Sequence, residues 1–228
     1  MTQRRQVLLS WSGGKDAAWT LHVLRQRGDV DVVGLLTTVT KDYQRVSMQG
    51  IRRDVLHAQA AAAGLPLIEA MIPAASDNAT YEAAMASALT EAMQRWPGLH
   101  TAAFGDLFLE DIRAYREKNC ARIGWDVMTP LFGSDTARVA REMIDGGLKA
   151  HLCCVDNQQL DPAFAGRAFD LGLLDDLPES VDSCGENGEF HTCVSAGPMF
   201  THPLILSRGD TVLRDGRFAY TDFSLDRS

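Results

Sequence analysis

Hydrophobic positions come first in short runs and then at helical spacing, and the alternation repeats along the first half of the chain. Gln6 to Ser10 is an apolar run that stops at a glycine-containing loop. From Asp16 to Arg27 the apolar residues, Leu21 and Leu24 among them, recur at helical spacing until Gly28. Val30 to Thr38 is rich in β-branched and aliphatic residues, which predicts a second strand and, with the first, a βαβ unit with a parallel sheet. The pattern continues with a helix from about Ile51 to Ala63 ended by Gly64, a strand over Leu67 to Met71 and a long helix from Asn78 to Trp96 before Pro97-Gly98. In that helix Tyr81, Met85, Leu89, Ala92 and Trp96 recur near every fourth residue, which reads as a core-facing stripe rather than a cofactor box. His100 to Gly105 is the next expected strand.

Alternation of this length predicts an α/β fold, a doubly wound, mostly parallel sheet with helices on both faces. A boundary near Gly124 divides the chain into 1–124, a nucleotide-binding domain, and 125–228, a smaller C-terminal α+β domain. In the latter the pattern gives further α/β material over Val127 to Phe132, a helix from Asp135 to Ile144 ended by Gly146-Gly147 and a strand over Ala150 to Val155. Loop-rich structure with short strands from His202 onward is expected to follow.

Composition narrows the classes. With 228 residues, 46% hydrophobic and 23% charged, the chain is long enough for a full core and is neither disordered nor repetitive. A formal charge of -8 leaves no global basic field, so nucleic acid is not an expected partner. No apolar stretch approaches the roughly 18 residues of a membrane span, and a cytoplasmic location is expected. Five cysteines, Cys120, Cys153, Cys154, Cys184 and Cys193, are an odd number without C-x-x-C spacing, which predicts reduced thiols rather than disulfides or zinc. Oligomeric state stays open, a homodimer included.

The chemistry begins where the first strand ends. In Ser10-Trp-Ser-Gly-Gly-Lys-Asp16, Gly13 and Gly14 lack Cβ and let backbone N–H groups approach an anion, with a helix N-terminus behind them. Lys15 adds a full charge, and lysine is scarce here: Lys41, Lys118 and Lys149 are the only others. Asp16 suits either a Mg²⁺ ligand beside a polyphosphate or a helix N-cap. A Walker A loop is excluded, because Lys15 is followed by Asp and no glycine lies five residues before Gly14. The string resembles instead the PP-loop signature of ATP pyrophosphatases, in which Ser10, Ser12, Gly13, Gly14, Lys15, Asp16 and Thr38 would hold ATP and Asp16 its Mg²⁺.

Further along, Gly34-Leu-Leu-Thr-Thr38, Phe104-Gly-Asp-Leu-Phe-Leu-Glu-Asp-Ile-Arg-Ala-Tyr-Arg-Glu117, Phe164-Ala-Gly-Arg167 and Cys184-Gly-Glu-Asn-Gly-Glu-Phe-His-Thr192 resemble the diphthine–ammonia ligase family and its bacterial relatives. The resemblance implies an adenine-nucleotide α-hydrolase-like, Rossmann-like N-terminal domain and cleavage of ATP between its α- and β-phosphates. It also implies a carboxylate substrate, adenylated and then converted to an amide by ammonia. Asn187 stands where the family pattern has glycine, and His191 where it has glutamate, so the reaction class carries over and the diphthine substrate does not follow.

In the segment ending at Thr192, Glu186 and Glu189 could hold Mg²⁺ or position ammonia, while Asn187, His191 and Thr192 contact substrate; taken alone, the segment also reads as a solvated turn. Asp106 follows Phe104-Gly105 at the C-terminal end of a strand, where doubly wound sheets bind ligands. Glu110 and Arg113 would share a helix face, as an ion pair or with Arg113 on a carboxylate or phosphate. His22, His57, His100, His151 and His202 join no constellation. Two other functions remain open: RNA modification by a PP-loop enzyme, against which charge and cysteine spacing speak, and a non-catalytic ATP sensor.

Overall fold

The computed structural model describes residues 4–226. Its first sheet is built around β1 (Arg5–Ser10), which pairs in parallel with β2 (Val30–Thr40) on one side and β5 (Thr101–Ala103) on the other. Outside β2 lies β4 (Leu67–Ile72) and outside β5 lies β6 (Asp126–Met128), both parallel, giving the order β4-β2-β1-β5-β6. The two-residue β3 (Arg45–Val46) pairs antiparallel with Val39 and Thr40, beyond the point where β1 ends. The chain thus winds outward from β1 to β4 and then returns to begin again at β5, the doubly wound order that leaves a crevice beyond the carboxyl ends of β1 and β5.

Side chains alternate along β1 and so divide the core. Val7 and Leu9 are buried in one cluster with α1 (Lys15–Gln26) and α2 (Arg53–Ala63), while Leu8 points to the opposite face, against α3 (Asn78–Arg95) and Trp125. The Asp77 carboxylate caps α3 by accepting from the Thr80 N–H at 2.8 Å. Its apolar stripe is only partly core: Ala88 and Ala92 are buried and Met85, Leu89 and Trp96 pack partly against the same cluster, but Tyr81, Met85 and Leu89 also wall a cavity described below. The stripe therefore has a second role that its spacing alone does not reveal.

Beyond Gly124 the chain first completes the parallel sheet, because β6 pairs with β5 from Thr101 to Ala103. The change of architecture comes after Met128, through α5 (Thr136–Asp145), which is capped by Asp135 and buries Val139, Ala140 and Met143. A second sheet follows, antiparallel throughout, in the order β8 (Phe190–Ala196), β7 (Lys149–Asp156), β10 (Phe218–Leu225), β9 (Leu206–Arg214). The 3-10 turn Pro162–Phe164 and α6 (Leu171–Asp176) lie between β7 and β8. Two features differ from the sequence expectation. Residues 190–196 form a central-length strand instead of loop, and β9 and β10 are long hairpin partners instead of short strands. β9 is exposed along nearly its whole length, so the period of buried residues that marks a strand is missing there.

The sheets share one core. The cluster that holds Val7 and Leu9 also takes in Leu152 and Val155 of β7 and Ala219 and Phe223 of β10, and polar links reinforce it: Asp222 on β10 accepts from Arg45 at 2.9 Å and from Arg52 at 2.5 Å. Among the described residues no helix is long and apolar enough to cross a membrane. All five cysteines are free, four of them buried.

Candidate functional site

The loop after β1 is fixed by neighbours on both sides. Trp11 turns inward, its N–H donating to the Leu36 carbonyl at 2.8 Å and its indole to Gln59 Oε1 at 3.3 Å. Gly13 adopts φ 78°, and a Cβ there would come within 2.6 Å of Gln59 Oε1, so no other residue fits the turn without displacing that side chain. The Gly13 carbonyl accepts from Gln59 Nε2 and, across the molecule, from the Val194 N–H of β8, each at 3.0 Å.

Helix α1 starts at Lys15 with Gly14 at its N-cap and no side-chain cap from its own segment. Thr192 supplies one instead: its hydroxyl accepts from the Lys15 N–H at 3.0 Å. Thr192 is buried, and its role here is to dock β8 on the glycine loop.

Lys15 is nearly wholly buried, at 2% exposure, and its ammonium reaches into the C-terminal segment rather than out to solvent. Nζ donates to both Asp16 carboxylate oxygens at 2.8 Å and to the Cys184 carbonyl, and lies 5.6 Å from the Phe190 ring centre. Burial alone would lower its pKa, but Asp16, Cys184 and Glu186 outweigh burial and raise it, so the ammonium stays charged. Asp16 is thus committed to Lys15. Among the described residues no three His, Cys, Asp or Glu side chains converge as a ready metal site. A Mg²⁺ carried mainly by phosphate oxygens, with one or two carboxylates completing its shell, fits such a donor set.

The two motif glutamates have different environments. Glu189 is 1% exposed, and its carboxylate accepts from the Asp182 N–H at 2.9 Å, the Asn187 N–H at 2.9 Å and Asn187 Nδ2 at 3.0 Å. It organises the loop that carries it and does not line the cavity; Asn187 is exposed and is spent on Glu189. Glu186 lines the cavity and accepts from the Leu107 N–H at 3.0 Å. Burial pushes its pKa up to about 7, with repulsion from Asp16 next, while Lys15 and the Leu107 N–H pull the other way. His191 also lines the cavity, and burial followed by the Lys15 charge pushes its pKa down to about 4, leaving the imidazole neutral.

Asp106 stands at the end of β5 beside the loop. This placement needs Gly105, since a Cβ there would come within 2.9 Å of the Asp16 backbone. Its carboxylate holds Arg116 of α4 (Glu110–Ala121), with Nε 2.7 Å from Oδ2 and Nη2 3.1 Å from Oδ1. Arg113, the arginine favoured by the sequence, lies outside: it pairs with Glu117 at 2.7 Å, not with Glu110, and stacks 4.6 Å from the Phe132 ring. Nothing in the sequence marks Arg116, because α4 buries no side chain and no apolar face orients its residues.

Two adjoining cavities result. One, about 220 Å³, is lined by Ser12, Gly14, Lys15, Asp16, Glu186 and His191 among others. The second, about 240 Å³, is mainly apolar, with Leu36, Met85, Leu89 and Trp125, and Thr38 on its wall. Ser10, Ser12, Gln49, Phe104 and Arg116 belong to both. Gln49 comes from a tight turn in which Met48 has φ 71° and Gly50 packs under Tyr220; no sequence motif marks it.

The Glu186 environment carries a pH signature. Its folded pKa of about 7 lies above the ordinary 4.5, so the folded state binds this proton more tightly. The resulting stabilisation is complete below pH 4.5 and is lost as the pH rises through 7, amounting to about 3 kcal/mol at most. His191, with its lowered pKa, acts in the opposite sense, stability rising with pH between about 4 and 6.5. Urea denaturation of wild type and Glu186→Gln across pH 5 to 8 isolates the first term. The variant is expected to gain stability relative to wild type as the pH rises, and parallel curves would remove the buried-carboxyl account.

Comparison with known families gives two adjoining matches. Residues 5–127 match the diphthamide synthase N-terminal domain and residues 135–214 the diphthamide synthase C-terminal domain. A search of curated proteins finds no match. The join between the matches, residues 128–134, falls at the change from parallel to antiparallel sheet.

Proposed function

The chain belongs to the diphthamide synthase family of ATP-using PP-loop proteins, and on that premise we propose that it is an amide-forming ligase that splits ATP into AMP and pyrophosphate. In the first step an acceptor carboxylate oxygen attacks the α-phosphorus, the bond to the bridging oxygen breaks and pyrophosphate leaves. In the second, the lone pair of ammonia attacks the acyl carbon, the nitrogen loses a proton and AMP departs.

One observation carries this reading: the glycine loop and the Cys184 to Thr192 segment, 169 or more residues apart, meet through Lys15 and face a single cavity. The loop amides and the start of α1 favour a phosphate chain at Ser12 to Lys15. The apolar cavity suits the adenine, with Thr38 on its wall. Glu186, titrating near neutrality, suits uptake of the proton that the attacking nitrogen must lose. Neutral His191 can donate or accept a hydrogen bond from the acceptor. Mg²⁺ carried mainly by the phosphate oxygens would neutralise their charge, with Asp16 as the carboxylate beside it. A carboxylate-bearing small molecule or protein side chain is the acceptor class, free ammonia the nitrogen source and the cytoplasm the location.

Thermal melting should show a rise in Tm with millimolar ATP and Mg²⁺. Incubation with ATP, Mg²⁺, an ammonium salt and a pool of carboxylate metabolites should release AMP and pyrophosphate. ADP with phosphate would exclude the PP-loop reaction, and tight ATP binding without turnover on any pool would favour a sensor.

A further inference from the structure

The cavity that receives the phosphate chain has an unexpected shortage of free cation. Lys15, the obvious partner for a phosphate, is buried with its ammonium bound by both Asp16 oxygens and by the Cys184 carbonyl. Among the described residues the remaining permanent cation on the wall is Arg116, and it stands where the two cavities join. The Asp106 carboxylate accepts one Nη2 proton at 3.1 Å and lies 2.7 Å from Nε as an ion pair, and the guanidinium lies 4.2 Å from the Phe104 ring centre. Of its five N–H groups, that on Nε, both on Nη1 and one on Nη2 have no hydrogen-bond acceptor among the described residues. Carboxylate and ring fix the plane of the fork, and its open edge is left for a ligand.

Resting on the ATP reading above, we propose that Arg116 grips the nucleotide at its α-phosphate, the group that must lie at the join when the base fills the apolar cavity and the β- and γ-phosphates reach the glycine loop. Asp106 then acts as a positioning residue, holding the fork against Phe104. A guanidinium at this place also opposes the charge that develops on the α-phosphate oxygens during attack. Lys15, by contrast, joins the loop to the C-terminal segment.

Calorimetric titration of ATP, AMP and adenosine into wild type, Arg116→Ala and Arg116→Lys tests the assignment. Loss of the contact should weaken ATP and AMP alike by about 10-fold or more, the scale of one charge-assisted pair, and leave adenosine unchanged. Arg116→Lys should recover part of the affinity, and Arg113→Ala should bind as wild type. Equal weakening of adenosine would mean a disturbed pocket, and weakening of ATP without AMP would place the arginine on the outer phosphates; either overturns the proposal. Wild-type ATP affinity in Arg116→Ala overturns it while leaving the ligase reading intact, whereas wild type that binds no ATP removes both. Melting curves for the variants report folding, which an exchange on a helix without buried side chains leaves intact.

Discussion

Lys15→Met is expected to be the most damaging single substitution, because it removes the charge that makes two other groups tolerable. Methionine fills much the same space, so the packing between Phe169 and Phe190 survives. The Asp16 carboxylate, by contrast, loses its partner at 2.8 Å, and the Cys184 carbonyl its donor. Breaking a largely buried pair on one side costs about 3 kcal/mol or more. For a chain of this size that corresponds to a fall in Tm of roughly 6 to 12 °C. Turnover should fall about 10²-fold or more, since Glu186 and the loop lose the contact that brings them together. Lys15→Met with Asp16→Asn should regain most of the stability and little of the activity. Calorimetric melting of the single and double variants decides it: a single variant as stable as wild type, or a double variant no better than the single, would mean that the pair does not hold the site together.

Periodicity made most of the parallel half of the fold legible because β1, β2, β4, α1 and α2 each bury one face or both. β1 and β2 are apolar runs with both faces largely covered, β4 buries every second residue, and α1 and α2 end at Arg27 and Gly64, close to the expected breaks. The signal failed where burial did not follow period. α4 buries nothing, β9 is exposed on both faces, and β3 contains two residues. The Gly124 boundary followed a local breaker, whereas the polypeptide uses the next three residues of strand to finish the first sheet; that pairing depends on residues over twenty positions away.

The site divides in the same manner. The glycine loop and the Glu186 to Thr192 segment stand out in sequence because their glycines and clustered polar groups have no use in a helix or strand interior. What each polar group touches could not be read, since it depends on contacts far apart in the chain. Thr192 caps a helix 177 residues away, and Arg116 rather than Arg113 faces the cavity because of how α4 lies against Phe104 and Asp106. Gln49 lines both cavities by virtue of a turn held from the other sheet by Tyr220. Such placements come from tertiary packing and leave no local trace.

The two glutamates of the motif should behave oppositely, and Glu189→Gln is expected to come next after Lys15→Met in severity. The Glu189 carboxylate receives three donors, from Asp182 N, Asn187 N and Asn187 Nδ2, in a position 1% exposed. Glutamine keeps one acceptor oxygen and turns an NH₂ group toward N–H groups, so at least one buried donor faces another donor. Each buried donor left without an acceptor costs about 1–3 kcal/mol, and the strain falls on the loop that positions Glu186 and leads into Thr192. Stability, ATP binding and turnover should therefore fall together. Glu186→Gln differs in each respect: the amide oxygen can still accept from Leu107 N, a carboxyl held near neutrality is replaced by a group with no charge to bury, and the fold is at least as stable above pH 7. ATP affinity should stay within a few-fold, while pyrophosphate release falls about 10²-fold or more, the scale of a lost acid–base group. Urea denaturation, calorimetric titration of ATP and a pyrophosphate-release assay on both variants separate the roles. A Glu189→Gln protein as stable as wild type would show that its carboxylate does not organise the loop, and full turnover in Glu186→Gln would remove that carboxyl from the chemistry.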